Sequence, residues 1–204
     1  MNRQLAGGMA LVLALLVSEA RAQGAQGGGD WWRDGWSVTG FLGRVSTDKT
    51  SDIAIGNFGF EDAGTAGIGI GKHLLTLTDN LSLEGEGQIV RHFGDQRHWE
   101  TNGIMLLRWR GTPWDHWLPT SFAVGSGLSL PSETPALELA RRPEDSTRLL
   151  HYLYGEIAVA LPDGGDRPDW EMVLRYHHRS GAFGTFGGVS EASTVFALGL
   201  RRNF

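Results

Sequence analysis

A strict alternation of apolar and polar residues over 81–92 constrains this chain more than any other feature. Leu81 and Leu83 fall on one face of an extended chain, whereas Glu84 and Glu86 fall on the other. Because successive side chains of a β-strand point to opposite sides, this period of two predicts a strand with one apolar and one polar face. Such a strand fits a soluble barrel with an apolar core, and it fits equally a membrane barrel whose apolar face meets lipid.

The same alternation recurs along the chain and predicts eight strands. They cover residues 36–45, 64–77, 81–92, 98–110, 120–130, 147–161, 169–180 and 192–204. The chain also has 30 Gly, 8 Trp and no Cys, a composition that is typical of a transmembrane β-barrel in an exported protein. The last strand ends on the aromatic Phe204, which resembles the C-terminal strand of bacterial outer-membrane barrels. We therefore expect an all-β, eight-stranded antiparallel transmembrane barrel of the outer membrane.

The N-terminal 22 residues have the features of a cleaved secretory signal peptide. Arg3 supplies the positive charge, Leu5–Val17 is the apolar run, and Ala20-Arg21-Ala22 places small residues at the cleavage position. The apolar run is shorter than the roughly 18 residues of a membrane-spanning helix. The mature chain is then expected to begin with a Gly-rich flexible leader, residues 23–35, and to continue as the barrel, residues 36–204.

The lengths of the connections predict how the barrel is oriented. With the N-terminus in the periplasm, the outer loops are 46–63, 93–97, 131–146 and 181–191. The inner turns are then 78–80, 111–119 and 162–168. Outer-membrane barrels have long outer loops and short periplasmic turns, and only the short loop 93–97 departs from this rule.

The predicted interior is polar and filled. Glu84 and Glu86 point inward, and we expect them to pair with the inward residues Arg108, Arg110 or Arg175. Eight strands leave an interior that side chains fill, so a pore is not expected. The net charge of −5 also argues against a nucleic-acid partner.

The strand at 169–180 carries a candidate catalytic pair at its outer end. His178 and Ser180 have the same parity as the apolar residues Met172 and Leu174, so both should face lipid. Two residues along a strand span about 6.6 Å, which lets the imidazole and the hydroxyl meet. A histidine beside a serine is the minimal base and nucleophile pair, with Ser180 as nucleophile and His178 as general base and acid.

With these residues, the chain resembles the outer-membrane lipid A 3-O-deacylases of the PagL type. The family's His-x-Ser element on the penultimate strand matches His178-Arg179-Ser180. The resemblance implies that Glu191, in the following loop, orients His178. The chain departs from the family at Gly181, where the family has Asn, and at Phe183, where it has Gly. The backbone amides of Gly181 and Ala182 would then form the oxyanion hole.

The resemblance implies a lipid A deacylase-like esterase that acts on lipopolysaccharide in the outer leaflet. It implies neither a cofactor nor a metal, and His177 and His178 face opposite sides of the strand, so they cannot share an ion. A non-enzymatic structural or adhesion barrel remains an alternative. So does a soluble lipocalin-like barrel, whose apolar pocket would be lined by Leu81, Leu83 and Ile89.

Overall fold

The computed structural model describes residues 35–204, with the exception of residues 49, 58, 142, 144–145, 162–168, 183–184, 187 and 190–191. The predicted signal peptide, all of the predicted leader but its last residue, and the inner turn 162–168 lie outside the described residues. No helix in the described ranges is long and apolar enough to cross a bilayer.

The described part of the chain forms eight strands that close into one barrel. The strands are β1 (Trp36–Ser46), β2 (Ala63–Thr78), β3 (Leu81–Gly94), β4 (Trp99–Arg110), β5 (Thr120–Pro131), β6 (Leu150–Ala160), β7 (Trp170–Ser180) and β8 (Thr194–Asn203). Each strand pairs antiparallel with the next, and β8 pairs with β1. The predicted eight-stranded antiparallel barrel is therefore confirmed, and each predicted strand overlaps an observed one.

Two short helices lie in connections that the sequence predicts as irregular loops. Helix α1 (Thr50–Ala54) follows β1, and helix α2 (Ala136–Arg141) follows β5. Both connections lie at the end of the barrel where β1–β2, β3–β4, β5–β6 and β7–β8 are joined, which we call the long-loop end. Both helices are shorter than two turns, and neither has the repeated apolar face that identifies a longer helix.

The outward face of the barrel is apolar, as the alternation predicts. Ile68, Ile89, Val124 and Leu198 are each exposed by 45% or more, although they are large aliphatic side chains. Ile89 faces outward at 59% exposure, so the apolar set of β3 lines no internal pocket and the lipocalin-like alternative is wrong. Aliphatic side chains that project from every strand of a closed barrel suit a surface covered by lipid.

Inward glycines of β2 make room for large side chains in the narrow lumen. A methyl group added at Gly67 would lie 2.3 Å from the Phe41 ring, and one added at Gly69 would lie 2.6 Å from the Glu86 carboxylate. Both distances are too short for a Cβ atom. The small residues on this face therefore allow the aromatic ring and the carboxylate to cross the barrel.

Glutamates and arginines fill the half of the lumen that lies away from the long-loop end. Glu84 contacts Arg108 at 3.0 Å and Arg110 at 2.9 Å, and Glu86 contacts Arg175 at 2.9 Å. These contacts confirm the predicted pairing of the inward glutamates with inward arginines. A lumen occupied in this way is a packed interior.

Glu156 is the centre of this charged network. Its carboxylate contacts Arg108 at 2.8 Å and Arg175 at 2.8 Å, and it also binds Arg201. The hydroxyl of Tyr154 donates a further hydrogen bond to it. Buried charges are tolerated when each has partners of the opposite sign, and this carboxylate connects four strands.

Helix α2 covers the lumen at the long-loop end. Its residue Glu138 is buried and accepts hydrogen bonds from Arg179 Nε at 3.1 Å and from the Ser193 hydroxyl at 2.8 Å. Leu137 packs against the apolar cluster around Phe41. The helix therefore closes this end of the barrel through one buried carboxylate and one apolar contact.

Candidate functional site

The long-loop end of β7 carries both members of the predicted catalytic pair. His177 faces the lumen, where its ring stacks on Tyr154 with centroids 5.5 Å apart. Because neighbouring side chains alternate, His178 and Ser180 lie on the outward face together with Tyr176. The pair therefore projects away from the lumen, at the end of β7 that leads into the β7–β8 loop.

The His178 imidazole is held by outward residues of β7 and β8. Its Nδ1 lies 2.9 Å from the Thr194 hydroxyl, and the two residues are directly opposite in the sheet register. The Tyr176 ring stacks on it with centroids 6.1 Å apart, and Phe196 packs edge-on against Tyr176. These contacts leave His178 only 5% exposed, so its ring has a defined orientation.

A second histidine, which the sequence analysis did not identify, lies across the sheet from Ser180. His151 of β6 is the register partner of Ser180, and cross-strand partners have Cβ atoms about 4.5–5.5 Å apart. Its Nε2 lies 2.8 Å from the Ser126 hydroxyl of β5. The outward face therefore carries a row of hydroxyl and imidazole groups from β5 to β8. The members of this outward polar row are Ser126, His151, His178, Ser180 and Thr194.

A signal for the second histidine was present in the sequence. His151 has the same parity as Leu153 and Ile157, so the alternation of β6 already assigns it to the outward face. What the alternation does not provide is the register that sets His151 opposite Ser180. That register depends on a pairing between two strands with a loop between them.

The residues after Ser180 form a tight turn. Gly181 packs closely on Val189, because an added Cβ would lie 1.8 Å from the Val189 carbonyl oxygen. Ala182 has a φ of 46°, which lies in the left-handed region that L-residues seldom adopt. The Gly181 carbonyl accepts a hydrogen bond from the Phe186 amide at 3.0 Å, and the Ala182 carbonyl accepts one from the Thr185 hydroxyl at 2.8 Å. The two predicted oxyanion residues thus begin an ordered turn.

The predicted acidic partner, Glu191, lies outside the described residues, as does Phe183. A described carboxylate near this end of β7 is Glu138 of α2, and it faces the lumen. Burial raises the pKa of Glu138 above its ordinary value, and the nearby Arg179 opposes that rise. The Glu138 carboxylate accepts a hydrogen bond from Arg179. Arg179 lies between His178 and Ser180 in the sequence, and its side chain points into the lumen whereas theirs point outward.

Among the described residues, a set that could hold a metal lies inside the barrel, apart from the outward polar row. His92, His98 and Glu100 place two imidazole groups and one carboxylate together. All three residues are at most 4% exposed.

Comparisons with known proteins identify the fold. No protein-family model matches the chain, and no curated protein matches it. The structure is similar to the crystal structure of the outer membrane enzyme PagL, with a TM-score of 0.50 and 11% identity over 81% of this chain and 98% of that chain. It also resembles Neisserial surface protein A (NspA), at a TM-score of 0.47 and 11% identity over 83% and 97% of the two chains. The outer membrane protein OprG from Pseudomonas aeruginosa matches at a TM-score of 0.42 and 13% identity, over 84% and 96%. At 11% identity the likeness to PagL is one of fold, that of an eight-stranded outer-membrane barrel.

Proposed function

We propose that this chain is an outer-membrane esterase that hydrolyses an acyl ester of lipid A in the outer leaflet. The observation that carries the proposal is the position of Ser180, on the outward face of β7 at the long-loop end, with His178 beside it along the strand and His151 across from it. Polar side chains on a lipid-facing surface reduce stability, so a row of them needs a role other than packing.

In the proposed reaction Ser180 is the nucleophile and His178 is the general base and acid. The Ser180 oxygen attacks the ester carbonyl while its proton passes to His178. The bond to the sugar oxygen then breaks, and His178 returns the proton to that oxygen as it leaves. Water hydrolyses the acyl-serine by the same route in reverse, which releases a fatty acid and restores the hydroxyl.

The Thr194 hydrogen bond supports this assignment of His178. An Nδ1–H that donates to the Thr194 oxygen fixes the tautomer in which Nε2 accepts the serine proton. A neutral hydroxyl orients the ring but stabilises the imidazolium less than a carboxylate would. We therefore retain Glu191 in the proposal as the acidic group that compensates the charge.

The turn after Ser180 supports a backbone oxyanion hole. A tetrahedral intermediate needs donors directed at its oxygen, and the backbone amides of Gly181 and Ala182 are the proposed donors. The left-handed conformation of Ala182 turns the backbone sharply directly after the nucleophile. Such a turn can aim two successive amides at one anion.

A second candidate function is a non-enzymatic barrel of the envelope. The observation in its favour is that His178 is nearly buried and hydrogen-bonded to Thr194, as a purely structural histidine would be. Under this alternative the outward polar row would contact lipopolysaccharide head groups without any reaction.

The test is the mass of lipid A from a Gram-negative host that expresses the wild-type chain or Ser180→Ala. We expect wild type to remove one acyl chain and Ser180→Ala to remove none, with both proteins folded as judged by heat-modifiable migration in gels. Intact lipid A in cells that contain folded wild-type barrel would support the non-enzymatic alternative.

Ser126→Ala is the matched serine variant, because Ser126 is also outward and its hydroxyl lies 2.8 Å from His151 Nε2. If deacylation survives in Ser180→Ala and is lost in Ser126→Ala, then Ser126 is the nucleophile and the proposed assignment is wrong.

A further inference from the structure

A buried cluster of two histidines and a glutamate lies inside the barrel at the long-loop end. His92 ends the inward row of β3, His98 precedes β4, and Glu100 is the second residue of β4. The β3–β4 hairpin brings them together, because the His92 amide donates to the His98 carbonyl at 2.9 Å. The two imidazole rings stack with centroids 4.2 Å apart and planes 16° apart. Both rings border Glu100, and a shared ion requires them to rotate out of the stack so that their in-plane lone pairs converge.

The potential ligand atoms have the spacing of a metal site. His92 Nε2 lies 3.3 Å and His98 Nε2 lies 4.0 Å from Glu100 Oε2, and the ligand atoms all lie within 4.8 Å of one another. Ligands about 2.0–2.2 Å from a tetrahedral zinc ion are about 3.3–3.6 Å apart. Shifts of about an ångström, together with a rotation of the stacked rings, would bring the three atoms to such an ion.

The two nitrogens that border Glu100 are not held by well-formed hydrogen bonds. Among the described residues, His92 Nε2 and His98 Nε2 are both buried, and their contacts to Glu100 at 3.3 and 4.0 Å do not have normal hydrogen-bond geometry. Buried polar atoms are rarely left without a partner, and each exception calls for an explanation. A cation between the two rings and the carboxylate would satisfy both nitrogens at once.

Gln96 supplies the supporting contact that a histidine ligand needs. Its side-chain nitrogen lies 3.0 Å from His92 Nδ1, while its Oε1 is buried without a partner among the described residues. Because the two ends of an amide are assigned from hydrogen bonding, a half-turn of the Gln96 amide is equally compatible with its shape. The Gln96 Oε1 atom then accepts a hydrogen bond from His92 Nδ1–H. In that tautomer the lone pair of His92 is on its Nε2 atom, which borders Glu100. Metal-binding histidines are usually held by such a contact.

Charge and space around the cluster also suit a cation. Arg179 lies 3.4 Å from Glu100, but its own charge is matched by Glu138 at 3.1 Å. A cavity of about 10 Å³ adjoins the cluster and is lined by residues that include His92, Glu100 and Tyr152. This volume approaches that of one water molecule, which can serve as the fourth ligand.

We propose that His92, His98 and Glu100 bind one divalent transition-metal ion, and that zinc is the ion that this set fits best. Imidazole nitrogens suit zinc, and zinc also accepts one carboxylate oxygen beside them in tetrahedral geometry. The site lies in the lumen, whereas the proposed esterase residues face outward. The ion would therefore be separate from the proposed esterase reaction, and it would join the ends of β3 and β4.

The test is a zinc titration of the tag-free chain, refolded in detergent and stripped with a chelator. We expect one zinc per chain in wild type and binding weakened by about 100-fold or more in His92→Ala and in His98→Ala. Gln96→Ala removes only the supporting contact and should weaken binding by about 10-fold or more. His116→Ala is the control, because His116 is exposed in the β4–β5 connection, and it should bind as wild type does.

X-ray absorption of the zinc-loaded wild type makes the test independent of variant folding. We expect nitrogen and oxygen ligands at about 2.0–2.2 Å with outer scattering from imidazole rings. The proposal is overturned if wild type binds no stoichiometric zinc, if both histidine variants bind as wild type does, or if imidazole scattering is missing. None of these outcomes depends on whether the chain hydrolyses lipid.

Discussion

The two faces of the barrel wall differ in the polar side chains they carry and in the partners of those side chains. In the lumen, Glu156 has two arginines at 2.8 Å and a third bound to it, so each charge has a partner. On the outward face, hydroxyl and imidazole groups lie among aliphatic residues that suit lipid. The lumen network stabilises the barrel, whereas the outward polar row gives up stability that leucines would supply. Polar groups that do not serve the fold are the ones to examine for function.

Removal of the Glu156 carboxylate is expected to have the largest effect on stability. Glu156→Ala leaves buried arginines without their shared partner, and we expect the free energy of unfolding to fall by about 3–5 kcal/mol. Urea unfolding in detergent micelles or vesicles measures it. The matched control is Glu61→Ala, which removes a contact to the half-exposed Arg141 and a hydrogen bond from the Thr47 hydroxyl, and it should cost about 1–2 kcal/mol. Equal losses in the two variants would mean that the lumen network is not what stabilises the barrel.

Removal of the proposed general base should have the opposite effect to removal of Glu156. We expect a large loss of deacylation rate and a small loss of stability. His178→Ala is expected to lower the deacylation rate by about 10²–10⁴-fold, the usual contribution of a general base. His151→Ala is the comparison, since His151 faces the same serine from the neighbouring strand. The rate of lipid A deacylation in vesicles measures both variants. A larger loss of rate in His151→Ala than in His178→Ala would mean that His151 is the general base.

The fold and the site differ in how far the sequence predicts them. Alternation is local, so it predicts the eight strands, the outward position of Ser180 and the pairing of inward glutamates with inward arginines. The partnership of His151 with Ser180 depends on strand register, and the contact of Glu138 with Arg179 depends on how α2 enters the lumen.

The histidine and glutamate cluster was missed for a related reason. The predicted strands 81–92 and 98–110 already assign His92, His98 and Glu100 to the inward face, although the observed β4 begins one residue later, at Trp99. Alternation does not provide the hairpin geometry that brings the two histidines together, and that geometry depends on strand register.

The Thr194 hydroxyl is a polar group on the outward face that has a hydrogen-bond partner, as Glu156 does in the lumen. Thr194→Val keeps the shape and removes the hydrogen bond to His178 Nδ1. A typical hydrogen bond contributes about 1 kcal/mol, so we expect a five- to tenfold lower deacylation rate. Thr194→Ser keeps the hydroxyl and should retain most of the rate. If valine and serine lower the rate equally, the methyl contact matters and the hydroxyl does not orient the imidazole.

The smallest expected effect tests whether the outward polar row costs stability. His151→Leu places an aliphatic side chain where the surface suits lipid, and we expect the free energy of unfolding in vesicles to rise by up to about 1 kcal/mol, because the penalty for polar groups is small near the interface. The reverse exchange, Leu153→His, lies two residues further along the same face and further from the long-loop end. It should lower the free energy of unfolding by at least as much, since polar groups cost more toward the middle of the bilayer. A barrel that His151→Leu destabilises would have a structural histidine at this position, and the outward polar row would then have to be explained by packing.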